Sequence, residues 1–399
     1  MFYAVDNGVD DMMNMTDRMN GRMTGRIFFQ QVKGIQQEAY GRIIRNAGGI
    51  DNLFMMDDDF WQDPRNVGKN TLDGSTLKKY REKSMLIAER CVKCDINVIS
   101  CFDPEYPLLL REIPSYPKVL YYKGDLKPNE SCVAIVGSRN ATSYGHDIAY
   151  KLSFDLAARN VCVVSGVARG IDTYAHQGAL NARGRTIGVL GCGINYLYPP
   201  ENGYLYEKIS EKGALISEYP PDTNPLPQHF PARNRIISGI SSGTVVVEAG
   251  CKSGSLITAG MASDFGREVF AVPGDIRRNS STGTNNLIRD GATPVMGIND
   301  IMNVITDIAE PDAHGSSQIA DWEEMIFKQI LSECEGADRT IVKTIYEYPG
   351  AEPDMLAEKT GIDIGSLNSR LIMLELRGMI ERNSDMTFRL AYLKNNLVK

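Results

Sequence analysis

The sequence predicts an α/β fold built on one parallel sheet, with a smaller helical domain before it and a winged-helix-like unit after it. Three observations predict it. Six short Val/Ile-rich runs lie between residues 133 and 272 without polar alternation, as strands buried on both faces require. Helical patterns fall between these runs, and repeated strand–helix units imply right-handed crossovers and one sheet covered on both sides. Gly-rich turns bearing hydroxyls and cations follow several of the runs.

The elements are expected in this order. Residues 1–25 are polar, Met-rich and unpatterned, and are expected to be disordered or poorly packed. Residues 26–125 read as a mostly helical domain. Ile27, Phe28, Val32 and Ile35 lead into Ala39, Ile43, Ile44 and Ala47 at helical spacing, with Gly34 between two segments and Gly48-Gly49 as a stop. This helix–Gly–helix pattern resembles a helix-hairpin-helix or SAM-like module. A further helix is expected over Leu77–Cys91. Residues 126–305 hold the sheet, with strands at Val133–Val136, Val161–Ser165, Thr186–Leu190, Ala214–Ser217, Thr244–Glu248 and Val269–Val272. Helices are expected at Tyr144–Arg159, Ile171–Ala182, Tyr204–Lys212, Ala232–Ser241 and Leu256–Phe265. Residues 306–325 read as a linker. Residues 326–399 read as a winged-helix-like unit: Asp354–Thr360, Gly361 and Ile364–Leu376 form helix, turn, helix, and Gly378–Arg382 with Met386–Leu390 form a hairpin, before a fraying polar tail.

Bulk composition narrows the function. A net charge of −7 over 399 residues argues against coating nucleic acid through bulk charge, yet the Arg residues of the central segment sit in its Gly-rich loops. No apolar run is long enough to span a bilayer, and Met1 to Asn20 lacks a signal-peptide pattern, so the cytoplasm is the expected compartment. Most of the eight Cys sit in apolar strands, as reduced cysteines do. Cys91-Val-Lys-Cys94 with Cys101 lacks a fourth ligand for zinc, and the four His show no metal spacing. No metal or cofactor is expected.

Four segments carry chemistry. In Gly137-Ser138-Arg139 the glycine lets the backbone approach a ligand, while Ser138 and Arg139 suit phosphate oxygens. Ser165-Gly166 through Arg169-Gly170 to Asp172 repeats the theme, with Asp172 more in keeping with a helix cap or an Arg partner than with a catalyst. Phe230-Pro-Ala-Arg233-Asn234-Arg235 sets an aromatic ring beside two Arg, which suits a stacked base with its phosphates held. The alternative is a hydrophobic staple at a helix start. Two cations in the first turn, against the dipole, favour an anionic partner. Lys252-Ser253-Gly254-Ser255 through Thr258 offers an amine, hydroxyls and a helix N-terminus. G-x-G-x-x-G and G-x-x-x-x-G-K-[ST] are both absent, which disfavours dinucleotides and ATP hydrolysis. Glu248, at a strand end, is either a general acid/base or a partner for Arg233 or Arg235. The helix–turn–helix of the C-terminal unit suits either DNA reading or protein contact.

With these residues in view, the chain resembles the DprA/Smf family of bacterial DNA-processing proteins. The resemblance rests on the four segments above, with Gly191-Cys-Gly193, Tyr198-Pro199, Ser217-Glu-Tyr-Pro220, Val272-Pro-Gly274 and Gly283-Thr-Asn285 in the same order. It covers roughly residues 95–300. It implies a Rossmann-like fold that binds single-stranded DNA without cutting it, protects incoming strands in natural transformation, loads the RecA recombinase, and dimerises through the Rossmann-like domain. It also implies DNA contacts at Gly137, Ser138, Arg139, Gly166, Arg169, Phe230, Arg233 and Lys252, beside Ser253 and Ser255. A rival reading is a nucleotide-processing enzyme resembling the LOG-type phosphoribohydrolases, with Ser241-Ser-Gly-Thr244 and Glu248 as an imperfect echo of their motif.

Overall fold

A computed structural model describes residues 21–34, 39–67, 71–308, 327–328, 330–348, 351–382 and 387–390. The chain divides into two compact units, 1–308 and 309–399.

The larger unit is organised by a nine-stranded sheet of order β1-β2-β6-β5-β4-β3-β7-β8-β9. Its members are β1 (Asn97–Ser100), β2 (Val119–Gly124), β3 (Cys132–Val136), β4 (Cys162–Ser165), β5 (Thr186–Leu190), β6 (Ala214–Ser217), β7 (Gly243–Val246), β8 (Glu268–Ala271) and β9 (Thr293–Pro294). From β6 across to β9 all pairings are parallel. Strands β3 to β7 are buried throughout, as their unalternated apolar sequences require. Successive strands β3, β4, β5 and β6 march one way, and the chain then returns to lay β7 on the other side of β3. That reversal separates the loops that follow β3 and β7, opening a crevice at the carboxyl ends of the strands.

Helices α1 (21–31), α2 (Tyr40–Asn46), α3 (Asp58–Gln62), α4 (Pro64–Val67), α5 (Gly74–Lys93) and α6 (Leu108–Glu112) precede β3, and further helices cover both faces of the sheet. Among them are α7 (Ser143–Ala157) and α8 (Ile171–Asn181), which follow β3 and β4. With Ile301 and Ile305 they close one apolar layer over Val133, Ile135, Val163 and Val245. Helices α9 (Gly203–Lys212), α10 (His229–Gly239) and α11 (Gly254–Asp264) bury Ile209, Ile236, Ile237 and Ala259 in the other.

The N-terminal stretch departs from expectation. Val98, Ile99 and Val119–Tyr121 are strand residues, and β1 and β2 extend the sheet antiparallel beyond β6. The boundary expected at 125/126 therefore falls inside a continuous core that runs from Ile27 to Ala259. Residues 21–25, expected to pack poorly, are helical, and Thr24 and Gly25 are buried. A Cβ on Gly25 would lie 2.7 Å from the Asp51 carbonyl oxygen, so only glycine allows this approach. Arg26 fastens the same helix to β1, donating to Val98 O at 2.9 Å and to Asp103 at 2.8 Å. Residues 1–20 and the tail Lys394–Lys399 lie outside the described residues, as does 309–325 of the expected linker; its first residues instead end the helix Ile298–Ile308.

The smaller unit is a winged helix with its own core of Ile341, Ile345, Leu356, Leu367, Leu371 and Phe388. Helices Gly336–Glu347, Pro353–Thr360 and Ile364–Leu376 precede a hairpin pairing Ile380 with Leu390. Gly361 ends the second helix at φ 68°, and Asp363 caps the third by accepting from Ser366 N at 3.0 Å.

Candidate nucleic-acid interface

The loops after β3, β4 and β7 lock together before they form a site. Ser138 N donates to Glu248 O at 2.7 Å, and Ile171 N donates to Ser138 O at 3.2 Å. Gly137 is obligatory because a Cβ would lie 2.5 Å from the Ile171 side chain. Gly170 adopts φ 72°, and a Cβ there would meet Arg139 O at 2.6 Å. The Glu248 carboxylate accepts from Thr142 N and Thr142 Oγ1, both at 3.0 Å, so it fixes the first turn of α7.

Over these loops lies a cleft of about 720 Å³, within the range of ligand sites. Its floor is Gly137-Ser138-Arg139-Asn140; one wall is Phe230, Pro231, Asn234 and Ile237 of α10, the other Gly250 and Lys252–Ser255 at the start of α11. It therefore straddles β3 and β7, where the strand order reverses. Arg139 lies over the Phe230 ring at 5.4 Å, a cation–π contact that leaves its N–H groups free to face an anion. Among the described residues Arg139 and Lys252 form no ion pair. Ser253 caps α11, and its hydroxyl lies 2.7 Å from that of Ser255.

Tyr198 is a residue that sequence reasoning passed over as a possible contact. It lines the cleft beside Phe230, ring centroids 5.4 Å apart, and is 38% exposed. Tyr206 holds its backbone: the Tyr206 hydroxyl accepts from Tyr198 N at 3.2 Å and donates to Tyr198 O at 3.1 Å. Gly191 leaves room for the Phe230 ring, 2.9 Å from where a Cβ would stand. The Tyr-Pro pair was visible in the sequence, but nothing local showed that it would meet Phe230.

Several expected contacts are placed otherwise. Arg233 is 4% exposed; its guanidinium donates to Gly166 O at 2.8 Å and to Val189 O, joining the ends of β4 and β5. It reaches only the back of the cleft, its charge spent on carbonyls and on nearby Asp172. Burial pulls the Arg233 pKa down and pushes that of Asp172 up, each opposed by the other's charge. Asp172 accepts from Gly166 N and Ala168 N, a structural role. Gly166 packs its Cα face on the Arg233 guanidinium, 2.6 Å from a built Cβ, and Ser165 is buried, donating to Ile135 O. Arg235 pairs with Glu218 rather than Glu248, away from the cleft. Arg169 lines a small side pocket with Tyr198 and is paired with Glu201. Thr258 is buried in the cleft wall. Because α10 begins at His229, Arg233 and Arg235 fall beyond its first turn, and the dipole argument for an anion there lapses.

Among the described residues one cluster, Glu130, Cys132 and Cys162, has donor atoms close enough for a metal, but Arg185 holds the Glu130 carboxylate. No helix among them is long and apolar enough to cross a membrane.

The family model described as DNA recombination-mediator protein A matches residues 97–306, and the DprA winged helix domain matches residues 337–386. Protein Smf of Synechocystis is 37% identical over 312 residues, covering 72% of this chain and 78% of that protein. DNA processing protein DprA of Bacillus subtilis is 42% identical over 214 residues, covering 53% and 72%. The X-ray structure of DNA processing protein A from Streptococcus pneumoniae aligns with a TM-score of 0.60 at 33% identity, over 70% of this chain and 97% of that one. A doubly wound sheet with its cleft at the strand reversal, the glycine-dependent loops that build it, and these matches together make this chain a member of the DprA/Smf family of DNA recombination mediators.

Proposed function

We propose that the cleft binds single-stranded DNA without chemistry, and that the protein shields incoming strands and delivers them to the RecA recombinase, acting in the cytoplasm as a homodimer built through its Rossmann-like domain. One observation carries the reading: Arg139 and Lys252, unpaired among the described residues, flank a ring pair, Phe230 and Tyr198, in one open cleft. Cations that follow a backbone and rings that accept any base are what a sequence-tolerant single-strand binder needs. Family membership supports the recombination role. The engagement of Glu248 by Thr142, with neither carboxylate oxygen among the cleft-lining groups, argues against a nucleotide hydrolase.

The test is binding to single- and double-stranded DNA across salt concentrations. Single strands should be preferred, and log K should fall linearly with log salt, by about 0.7 per neutralised phosphate. Arg139→Ala should weaken all sequences alike and flatten the slope; Phe230→Ala should weaken binding at unchanged slope. Unchanged affinity in Arg139→Ala would remove this site. Release of free base from nucleoside monophosphates, lost in Glu248→Gln, would establish the enzyme instead. RecA filament assembly on coated strands tests delivery, and light scattering tests the dimer.

A further inference from the structure

The loop after β8 lies next in sheet order beyond the loop that carries Lys252. It is fixed against that neighbour: a Cβ on Gly250 would stand 3.4 Å from Asn279 O, and Gly283 N donates to Ala249 O at 2.7 Å. Tyr144, two residues past the Thr142 cap of α7, braces it from the β3 side, donating its hydroxyl to Pro273 O at 3.2 Å. The tip reads Asp275-Ile276-Arg277-Arg278. Arg277 is turned back on Asp275 through a two-pronged contact at 3.1 and 2.9 Å. Arg278 is exposed and forms no ion pair among the described residues. Ile276, between the acid and the arginines, is 89% exposed.

An exposed cation outside any ion pair, with only a longer-range attraction to Asp275, beside an apolar side chain repeats, two strands along from β3, the pairing of Arg139 with Phe230. We infer that the β8 loop continues the single-strand track outside the cleft: Arg278 takes a backbone phosphate, and Ile276 takes the face of the adjoining base or sugar. Arg277, neutralised by Asp275, acts as the brace that points its neighbour outward. The ligand is a further segment of the same strand, so short oligonucleotides fill the cleft without reaching this loop. This inference rests on the single-strand reading of the cleft.

The experiment is fluorescence anisotropy with labelled oligothymidylates of about six and about twenty nucleotides, which bracket the roughly 4–16 nucleotides that one such site occupies. Arg278→Ala should weaken the long strand about fivefold at low salt and lower its salt slope by about 0.7, the share of one phosphate. Arg278→Lys should restore the slope. Ile276→Ser should weaken the long strand about threefold at unchanged slope. Neither variant should alter binding of the short strand. Unchanged long-strand affinity in either variant, or equal loss at both lengths, overturns the extended track. Arg139→Ala measured in parallel separates the two readings: loss at both lengths keeps the cleft, whatever the loop does, and no loss at either length removes the cleft itself.

Discussion

Replacing Arg233 by methionine should cost stability rather than affinity. Methionine keeps much of the aliphatic volume but removes every donor. Gly166 O and Val189 O then lose a charged donor in a buried setting, and Asp172 loses the nearby charge that offsets its burial. A hydrogen bond to a charged group contributes about 1.5–3 kcal/mol, so two of them give about 3–6 kcal/mol. That matches the usual cost of removing one charge from a buried, mutually compensated set. At about 2.1 cal/mol/K per residue, a unit spanning residues 1–308 shifts its Tm by about 1.5 °C per kcal/mol, so the larger unit should melt about 5–9 °C lower. Circular dichroism melts, paired with single-strand titration well below the lowered Tm, would measure both effects. Arg139→Ala supplies the contrast: its side chain is exposed, so Tm should move by less than about 2 °C while affinity falls. An Arg233→Met protein that melts like wild type but binds ten times more weakly would show that this guanidinium serves the ligand, and the structural assignment would be wrong.

Other expectations follow from single groups. His176 is wholly buried, with Nδ1 2.8 Å from Thr186 Oγ1, and burial pulls its pKa down to about 3. The unfolded chain takes up that proton near pH 6.5 while the folded chain does not, so stability is full above pH 6.5 and falls towards pH 3, by up to about 1.4 kcal/mol per pH unit. Denaturant titrations across that window should show a shallower loss in His176→Gln; parallel curves would refute it. Tyr198→Ala should weaken single strands by about 1–2 kcal/mol, roughly five- to thirtyfold, at unchanged salt slope, because stacking carries no counterions; a changed slope in anisotropy titrations would place its effect on phosphate contacts instead. In the winged helix, Arg370 lies 2.6 Å and Arg377 3.7 Å from Asp338. Substituting both by alanine in the full chain should leave single-strand and duplex affinity within about twofold, and a steep fall in gel-shift affinity would make this unit a DNA reader.

The sheet was legible because burial on both faces writes itself into the sequence: β5 and β6 fall at the expected residues, Thr186–Leu190 and Ala214–Ser217. The edge strands were not. Asn97–Ser100 offers four residues, and short apolar runs take their conformation from a partner, here Val119–Gly124 and then β6, more than a hundred residues from β1. The site divides the same way. Gly137, Arg139 and Lys252 converge as loops at the ends of β3 and β7 must once the strand order reverses, and α10 brings Phe230 to them. What local sequence could not weigh was which arginine the fold consumes. Arg139, Arg169, Arg233 and Arg235 look alike in a motif; only the positions of Glu201, Glu218 and the Gly166 carbonyl distinguish a free cation from an engaged one.

That distinction also resolves how an acidic chain can present an anion site. Acidic side chains outnumber basic ones across residues 309–399, and that stretch carries most of the net charge of −7. The larger unit is close to balance, and its arginines are largely matched: Arg26 to Asp103, Arg185 to Glu130, Arg235 to Glu218, Arg267 to Glu112. Screening over about 8–10 Å confines the influence of exposed charges to their surroundings, so an acidic balance elsewhere does little to a cleft lined by unmatched Arg139 and Lys252. The charges of the winged helix support the same conclusion. The helix that would enter a groove exposes Ile372, Met373 and Leu376, and Arg370 within it and Arg377 at its C-cap are held by Asp338. The proposed strand-binding role therefore rests on the cations left over after the larger unit's own pairs are made, not on total charge.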